Sequence, residues 1–242
     1  MKNKSTENPS DIIKSARMAF KEKNYQKALE QYKYFFRNSI QINKAYIGVR
    51  LSYCLDEWTS LAKVYPPAMD SLIEEKNKAV NDFIETGDAV SFRDYAAICE
   101  YLNSSEEAVT LFKEIHSTNS VLSKKIFRSV LEPLARSADW AICREYLGDG
   151  IKKYENIIEL FDEITKLAKE KLGFAGKGVE KDSIEETKEE CLWLLNIHFH
   201  SNDKSGYRIL LEKMQTDFGY RGYNDLYNEI LNDAPKWSNS DD

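Results

Sequence analysis

Glycine and proline are scarce in this sequence, at 10 and 5 of 242 residues. With Leu, Ala, Glu and Lys abundant, that shortage of chain breakers argues for helices throughout. Cysteine is limited to Cys54, Cys99, Cys143 and Cys191, more than 35 residues apart and in no CxxC pair. A disulfide framework or a zinc site needs close pairs or clusters, so buried thiols are expected instead. No run of 18 apolar residues is present, and no N-terminal apolar stretch resembles a signal peptide. The expectation is a cytoplasmic protein without a membrane span.

Catalytic signatures are missing as well. GxSxG, HExxH and Walker patterns do not occur. The three histidines are His116, His198 and His200. His198 and His200 stand two apart, so on a helix they point in different directions and do not meet one metal ion. A partly buried helix histidine is the simpler reading. Glu74-Glu75, Glu106-Glu107 and Glu185-Glu186 fall in first turns or on solvated faces, where they complement the helix dipole. No cofactor, no metal and no enzymatic activity are expected.

The chain does carry a globular composition, 42% apolar and 12% aromatic, with a net charge of −6. That balance does not favour a general nucleic-acid binder. Residues 1–50 hold 11 Lys and Arg against 4 Asp and Glu, whereas residues 51–120 hold 5 against 13. A basic start on an acidic body reads either as a local electropositive surface or as ordinary solvated helix faces.

Apolar residues from Ile12 to Phe20 follow helical spacing after a polar tail over residues 1–10. Lys23-Asn24 breaks the run, and a second helix is predicted over 25–38 with Ala28, Leu29, Tyr32, Phe35 and Phe36 inside. Looser copies of this corner are Asp56-Glu57-Trp58, Asn103-Ser104-Ser105, Ala138-Asp139-Trp140 and Asn202-Asp203-Lys204. The residues three after each corner's aromatic position are Ala28, Leu61, Ala108, Cys143 and Tyr207, in steps of 33, 47, 35 and 64. Pro66-Pro67 is expected to stop a helix and leave an inserted one over 68–86. A long helix is predicted over 151–172, a Gly-rich linker over 173–182, and a helix from 184 to 200 capped by Ser183 with Glu186. Two more helices, over 204–218 and 223–231, complete a C-terminal hairpin segment at 183–234, and residues 235–242 read as an acidic tail.

The corner with Ala16, Tyr25, Ala28 and Tyr32 resembles the tetratricopeptide repeat (TPR), a helix–turn–helix unit of about 34 residues. The resemblance covers residues 11–147, is clearest in the first copy, and implies TPR-like repeats over 11–172. The fold class it implies is all-α: antiparallel helix hairpins stacked into a TPR-like right-handed superhelix, with extra inserted helices.

The resemblance further implies that the first helix of each hairpin lines a concave groove for a peptide or a partner's helix. Carried onto this chain, the groove residues are Arg17, Lys21, Asn43, Tyr46, Arg50, Tyr53, Arg93, Tyr101 and Arg128. Some TPR families clamp a chaperone tail with a Lys/Asn set, and Arg17 and Arg50 stand where its asparagines would be. The Arg/Tyr content points to an acidic peptide, since Arg offers paired donors to a carboxylate and Tyr offers area at little entropic cost. The leading expectation is a scaffold or adaptor for a protein segment. The alternatives are a regulatory binder of nucleic acid or a signalling peptide, and, after that, a helical enzyme.

Overall fold

The computed structural model describes residues 8–171 and 173–237, and among them there is no strand. The fold is all-α. No helix among the described residues is long and apolar enough to cross a membrane. The chain divides into two units, one up to Pro133 and one from Leu134.

In the first unit, α1 (Pro9–Lys21) starts inside the stretch expected to be a tail. Asn8 caps it by accepting the Ser10 N–H at 3.0 Å, and Pro9 opens the first turn, where a missing N–H costs nothing. Residue 8 therefore caps the helix, residues 9 and 10 are helical, and residues 1–7 of the expected tail lie outside the described residues. Then α2 (Tyr25–Ile42) returns across α1 after a corner in which Lys23 takes a left-handed φ of 59°. Its N–H reaches Phe20 O at 3.0 Å and the Asn24 N–H reaches Ala19 O at 2.8 Å, closing the carbonyls at the end of α1. Asn24 then caps α2 by accepting the Lys27 N–H.

The second corner does not lie at residues 56–58. Those residues sit within α4 (Tyr53–Ala62), which follows a 3₁₀ turn at Lys44–Tyr46 and the short α3 (Ile47–Leu51). Trp58 is fully buried and donates its indole N–H to Ala68 O at 3.1 Å. The chain turns instead at Lys63–Tyr65, and Pro66 and Pro67 begin α5 (Pro66–Thr86) rather than end a helix. The small residue after this turn is Ala68, fully buried like Ala28 and Ala108. Tyr65, Ala68 and Leu72 thus repeat the spacing of Tyr25, Ala28 and Tyr32, and the steps from Ala28 to Ala68 to Ala108 are both 40.

The helix read as an insertion is therefore one that packs on α4 and on α6 (Ala89–Tyr101). After α6 come α7 (Ser105–Thr118) and α8 (Ser120–Ile126). Helices α1, α4, α6 and α8 touch in succession. On α2, α5 and α7, cross-helix ion pairs join Lys33 to Glu74, Arg37 to Glu75 and Lys76 to Glu107. The core between them holds Tyr32, Phe35, Leu55, Trp58, Leu61, Leu72 and Ile98, all without exposed surface.

The division between the units falls within α9 (Leu131–Arg136). The second unit continues with α10 (Trp140–Leu147), α11 (Gly150–Lys171), α12 (Gly173–His200), α13 (Lys204–Arg221) and α14 (Asn224–Asp233). Residues 173–182 are the first part of α12, not a linker, and Ser183 is buried inside the helix rather than capping it. Gly176 explains part of the glycine content. A Cβ there would lie 2.1 Å from Ala168 O, so the residue lets α12 approach the α11 backbone. Helix α12 packs on α10, α11, α13 and α14. The expected acidic tail is also shorter than read. Pro235 O accepts the Tyr207 hydroxyl, the Trp237 ring packs tilted against Phe199 with centroids 4.5 Å apart, and residues 238–242 lie outside the described residues.

Candidate functional site: the face of α1, α4 and α6

Helix α1 turns Ile12, Ile13, Ala16 and Ala19 inward, which leaves Lys14, Arg17, Met18 and Lys21 outward on the opposite side. Arg17 reaches α4, where its Nε sits 2.6 Å from Glu57 Oε1. Tyr53 and Asp56 lie on the same side of α4 as Glu57, by helical spacing. Tyr53 is 61% exposed. Beneath the ion pair the Tyr32 ring is fully buried, and burial first, then the Glu57 charge, push its phenol far above the ordinary range. From α6, the half-buried Tyr101 comes near Asp56. Its phenol is raised by burial and then by the Asp56 and Glu100 charges.

The structure thus gathers Arg17, Tyr53 and Tyr101 around the carboxylates Asp56 and Glu57, with Lys21 exposed at the end of α1. It gives other residues of the expected groove different work. Asn43 accepts the Ala45 N–H at 3.0 Å, capping the 3₁₀ turn. Tyr46 packs edge-on against Phe35, 5.9 Å between centroids, with its hydroxyl 3.5 Å from Asn8 Oδ1.

Arg50 is buried. Its guanidinium lies 4.0 Å over the Phe36 ring, donates from Nε to Phe36 O, and holds both oxygens of Asp94 on α6. It is a strut between α2, α3 and α6, not an exposed groove residue. Arg93 is half-buried on α6, and Arg128 is exposed in the 3₁₀ turn Phe127–Ser129. Sequence reasoning missed Glu57 and Asp94, because a carboxylate 40 or 44 residues from its arginine carries no local signal.

The second unit places His198 in a slot. Its ring is 5% exposed, and Cβ atoms added at Gly150 or Gly206 would lie 2.4 and 2.5 Å from its nitrogens. Nδ1 is 2.8 Å from Asp203 Oδ2, while Oδ1 accepts the Gly206 N–H at 2.9 Å. The buried helix histidine expected from the sequence is thus present. His200 points elsewhere, stacked 4.5 Å from Trp140. All four cysteines are buried, and burial pushes the Cys143 thiol up to about 11. Among the described residues no group of His, Cys, Asp and Glu is placed to hold a metal.

The class that fold and face define is an all-α protein of packed helix hairpins. No protein-family model, no curated protein and no solved structure matches the chain.

Proposed function

We propose that the chain is a non-enzymatic interaction module of the TPR-like kind, whose first unit holds a segment of another protein on the face of α1, α4 and α6. One observation carries this reading. Met18 and Tyr53 stand 60% and 61% exposed on the two helices that the Arg17–Glu57 pair joins. Covering a large apolar side chain is worth roughly 1.5–3 kcal/mol, so two on a rigid frame make an anchor pair for a partner.

The repeated corners at Lys23 and Asn103, and the small residues Ala28, Ala68 and Ala108 after the turns, support the TPR-like part of the reading. The carboxylates Asp56, Glu57, Asp94 and Glu100 on α4 and α6 favour a protein segment over a polyanion such as nucleic acid. Glu57 and Asp94 serve ion pairs within the unit, which suits a recognition face better than converging acid–base groups.

A photo-crosslinking residue at Tyr53, compared with one at the exposed Lys78 of α5, tests the proposal in lysate of the native source. A discrete protein adduct is expected from position 53, weakened by Met18→Ser and missing from position 78. Identical adducts from both positions, or none from position 53, would mean that the face is ordinary surface.

A further inference from the structure

We propose that the corner between α12 and α13, made wholly by the second unit, is a further docking site, and that it takes an extended segment of a partner carrying one aromatic residue. The chain's own residues 235–237 occupy the site as a strap that such a partner displaces. The corner is fixed by backbone bonds. Asn202 takes a left-handed φ of 55°, its N–H reaches Phe199 O at 2.9 Å, and the Asp203 N–H reaches His198 O at 2.9 Å. Asp203 then caps α13 by accepting the Gly206 N–H. Phe199 in the last turn of α12 and Tyr207 in the first turn of α13 are thereby held with ring centroids 6.4 Å apart.

What fills this corner is not a helix. The chain leaves α14 at Ala234, whose φ of −66° and ψ of 142° are extended, and Pro235 keeps the helix from continuing. Pro235 O accepts the Tyr207 hydroxyl. Two residues on, the Trp237 ring lies 4.5 Å from Phe199 and edge-on to Tyr207 at 4.8 Å. Lys204 Nζ stands 6.0 Å from the centroid of the same ring. The hold is thin. Among the described residues the backbone of Lys236 and Trp237 makes no hydrogen bond, Lys236 is exposed, and Trp237 is only half-buried. A capped corner closed by three residues of irregular chain opens locally while the fold around it stays intact.

The strap itself shows the chemistry of the ligand. The Tyr207 hydroxyl donates to a backbone carbonyl, and two residues later an aromatic ring enters between Phe199 and Tyr207 beside the Lys204 ammonium. An extended peptide meets both demands, because its carbonyls are available and its ring brings apolar area at little entropic cost. A helix spends that carbonyl on its own ladder. A strap tied in cis acts at high effective concentration, so a partner in trans wins only with contacts beyond these three residues. The site stays closed until such a partner arrives.

The test uses the full chain and its Trp237→Ala variant, with a fluorescent synthetic peptide of residues 233–240 as the probe and anisotropy as the readout. The peptide is expected to bind Trp237→Ala about tenfold or more tighter than the parent chain, as freeing a site that is occupied about nine-tenths of the time requires. Tyr207→Phe added to that variant should weaken binding about fivefold, the loss of one hydrogen bond. The same peptide with alanine in place of its tryptophan should not bind. A random dodecapeptide library selected on Trp237→Ala should return sequences that share one aromatic residue and compete with the probe. Equal binding to parent and variant, or binding to neither, would overturn the proposal. So would a Trp237→Ala chain whose melting temperature collapses, because the strap would then be part of the core. Dimers of the parent chain that Trp237→Ala abolishes would make a second copy the occupant and overturn the partner.

Discussion

Arg50 on α3 holds both carboxylate oxygens of Asp94 on α6, 44 residues further along the chain. The same side chain covers Phe36 and ties down its carbonyl, so one guanidinium joins three helices. Asp94→Ala leaves that buried cation unpaired and should cost about 3–5 kcal/mol of stability in urea denaturation. Replacing both residues by apolar ones of similar volume should recover much of the loss. A single variant within about 0.5 kcal/mol of the parent would show that the pair is not buried as described.

Arg93 should behave differently. Its charge faces the Asp88 carboxyl and helps to hold it low, but its Nε makes no hydrogen bond, so Arg93→Met is expected to change the melting temperature far less than Asp94→Ala. A drop comparable to that of Asp94→Ala would show that Arg93 is structural.

Two glycines of α12 should respond with opposite signs. A methyl group at Gly176 meets Ala168 O, so Gly176→Ala should destabilise by roughly 1–3 kcal/mol as α11 and α12 are forced apart. At Gly178 nothing lies within 4 Å, and Gly178→Ala should stabilise the helix by about 1 kcal/mol. Thermal unfolding of the two variants side by side decides the matter; equal effects would contradict the packing described.

The helix corners offer a test in the stabilising direction. Lys23 and Ala138 adopt φ values of 59° and 58°, a region where a side chain is strained and glycine is not. Lys23→Gly and Ala138→Gly should each stabilise by about 0.5–1 kcal/mol. Denaturant midpoints should rise for both, whereas destabilisation would mean that the left-handed corner is not formed.

Asp203 gives the second unit a pH dependence of known sign. The Gly206 N–H first, and then His198, hold its carboxyl below the ordinary 3.8. Its folded-state pKa lies under its unfolded one, so its contribution is complete above the unfolded value and drains as pH falls through the folded one. Urea midpoints measured from pH 6 down to pH 2 should fall less steeply in Asp203→Asn than in the parent chain. Parallel curves would remove Asp203 from the acid response.

Local features were readable in the chain and distant ones were not. Four corners announced themselves through short polar breaks between apolar runs, and Lys23, Asn103, Ala138 and Asn202 all take the same left-handed geometry. The corner at 56–58 misled because Trp58 stands after two acids as Tyr25 stands after Lys23-Asn24. The tertiary core claims that ring instead, in the middle of α4. Pro66-Pro67 has two meanings, stop or start, and only the packing of Ala68 under Trp58 selects the second. The glycines at 173–178 read as a linker for a similar reason. What Gly176 supplies is room for a neighbouring backbone, which no local pattern displays.

The candidate face divides along the same line. The repeat register implied by the TPR resemblance put Arg17, Arg50, Arg93, Tyr53 and Tyr101 on first helices, and a 3.6-residue turn sets side-chain direction along each helix. Which arginine remains available depends on where carboxylates arrive from other helices, and Glu57 and Asp94 arrive from 40 and 44 residues away. By itself, then, the sequence determined the all-helical class, most helix positions and most corners, through short-range propensity and periodicity. Only the tertiary structure decided that Arg50 is a strut between three helices, because charge neutralisation is a matter of distance in space and not along the chain.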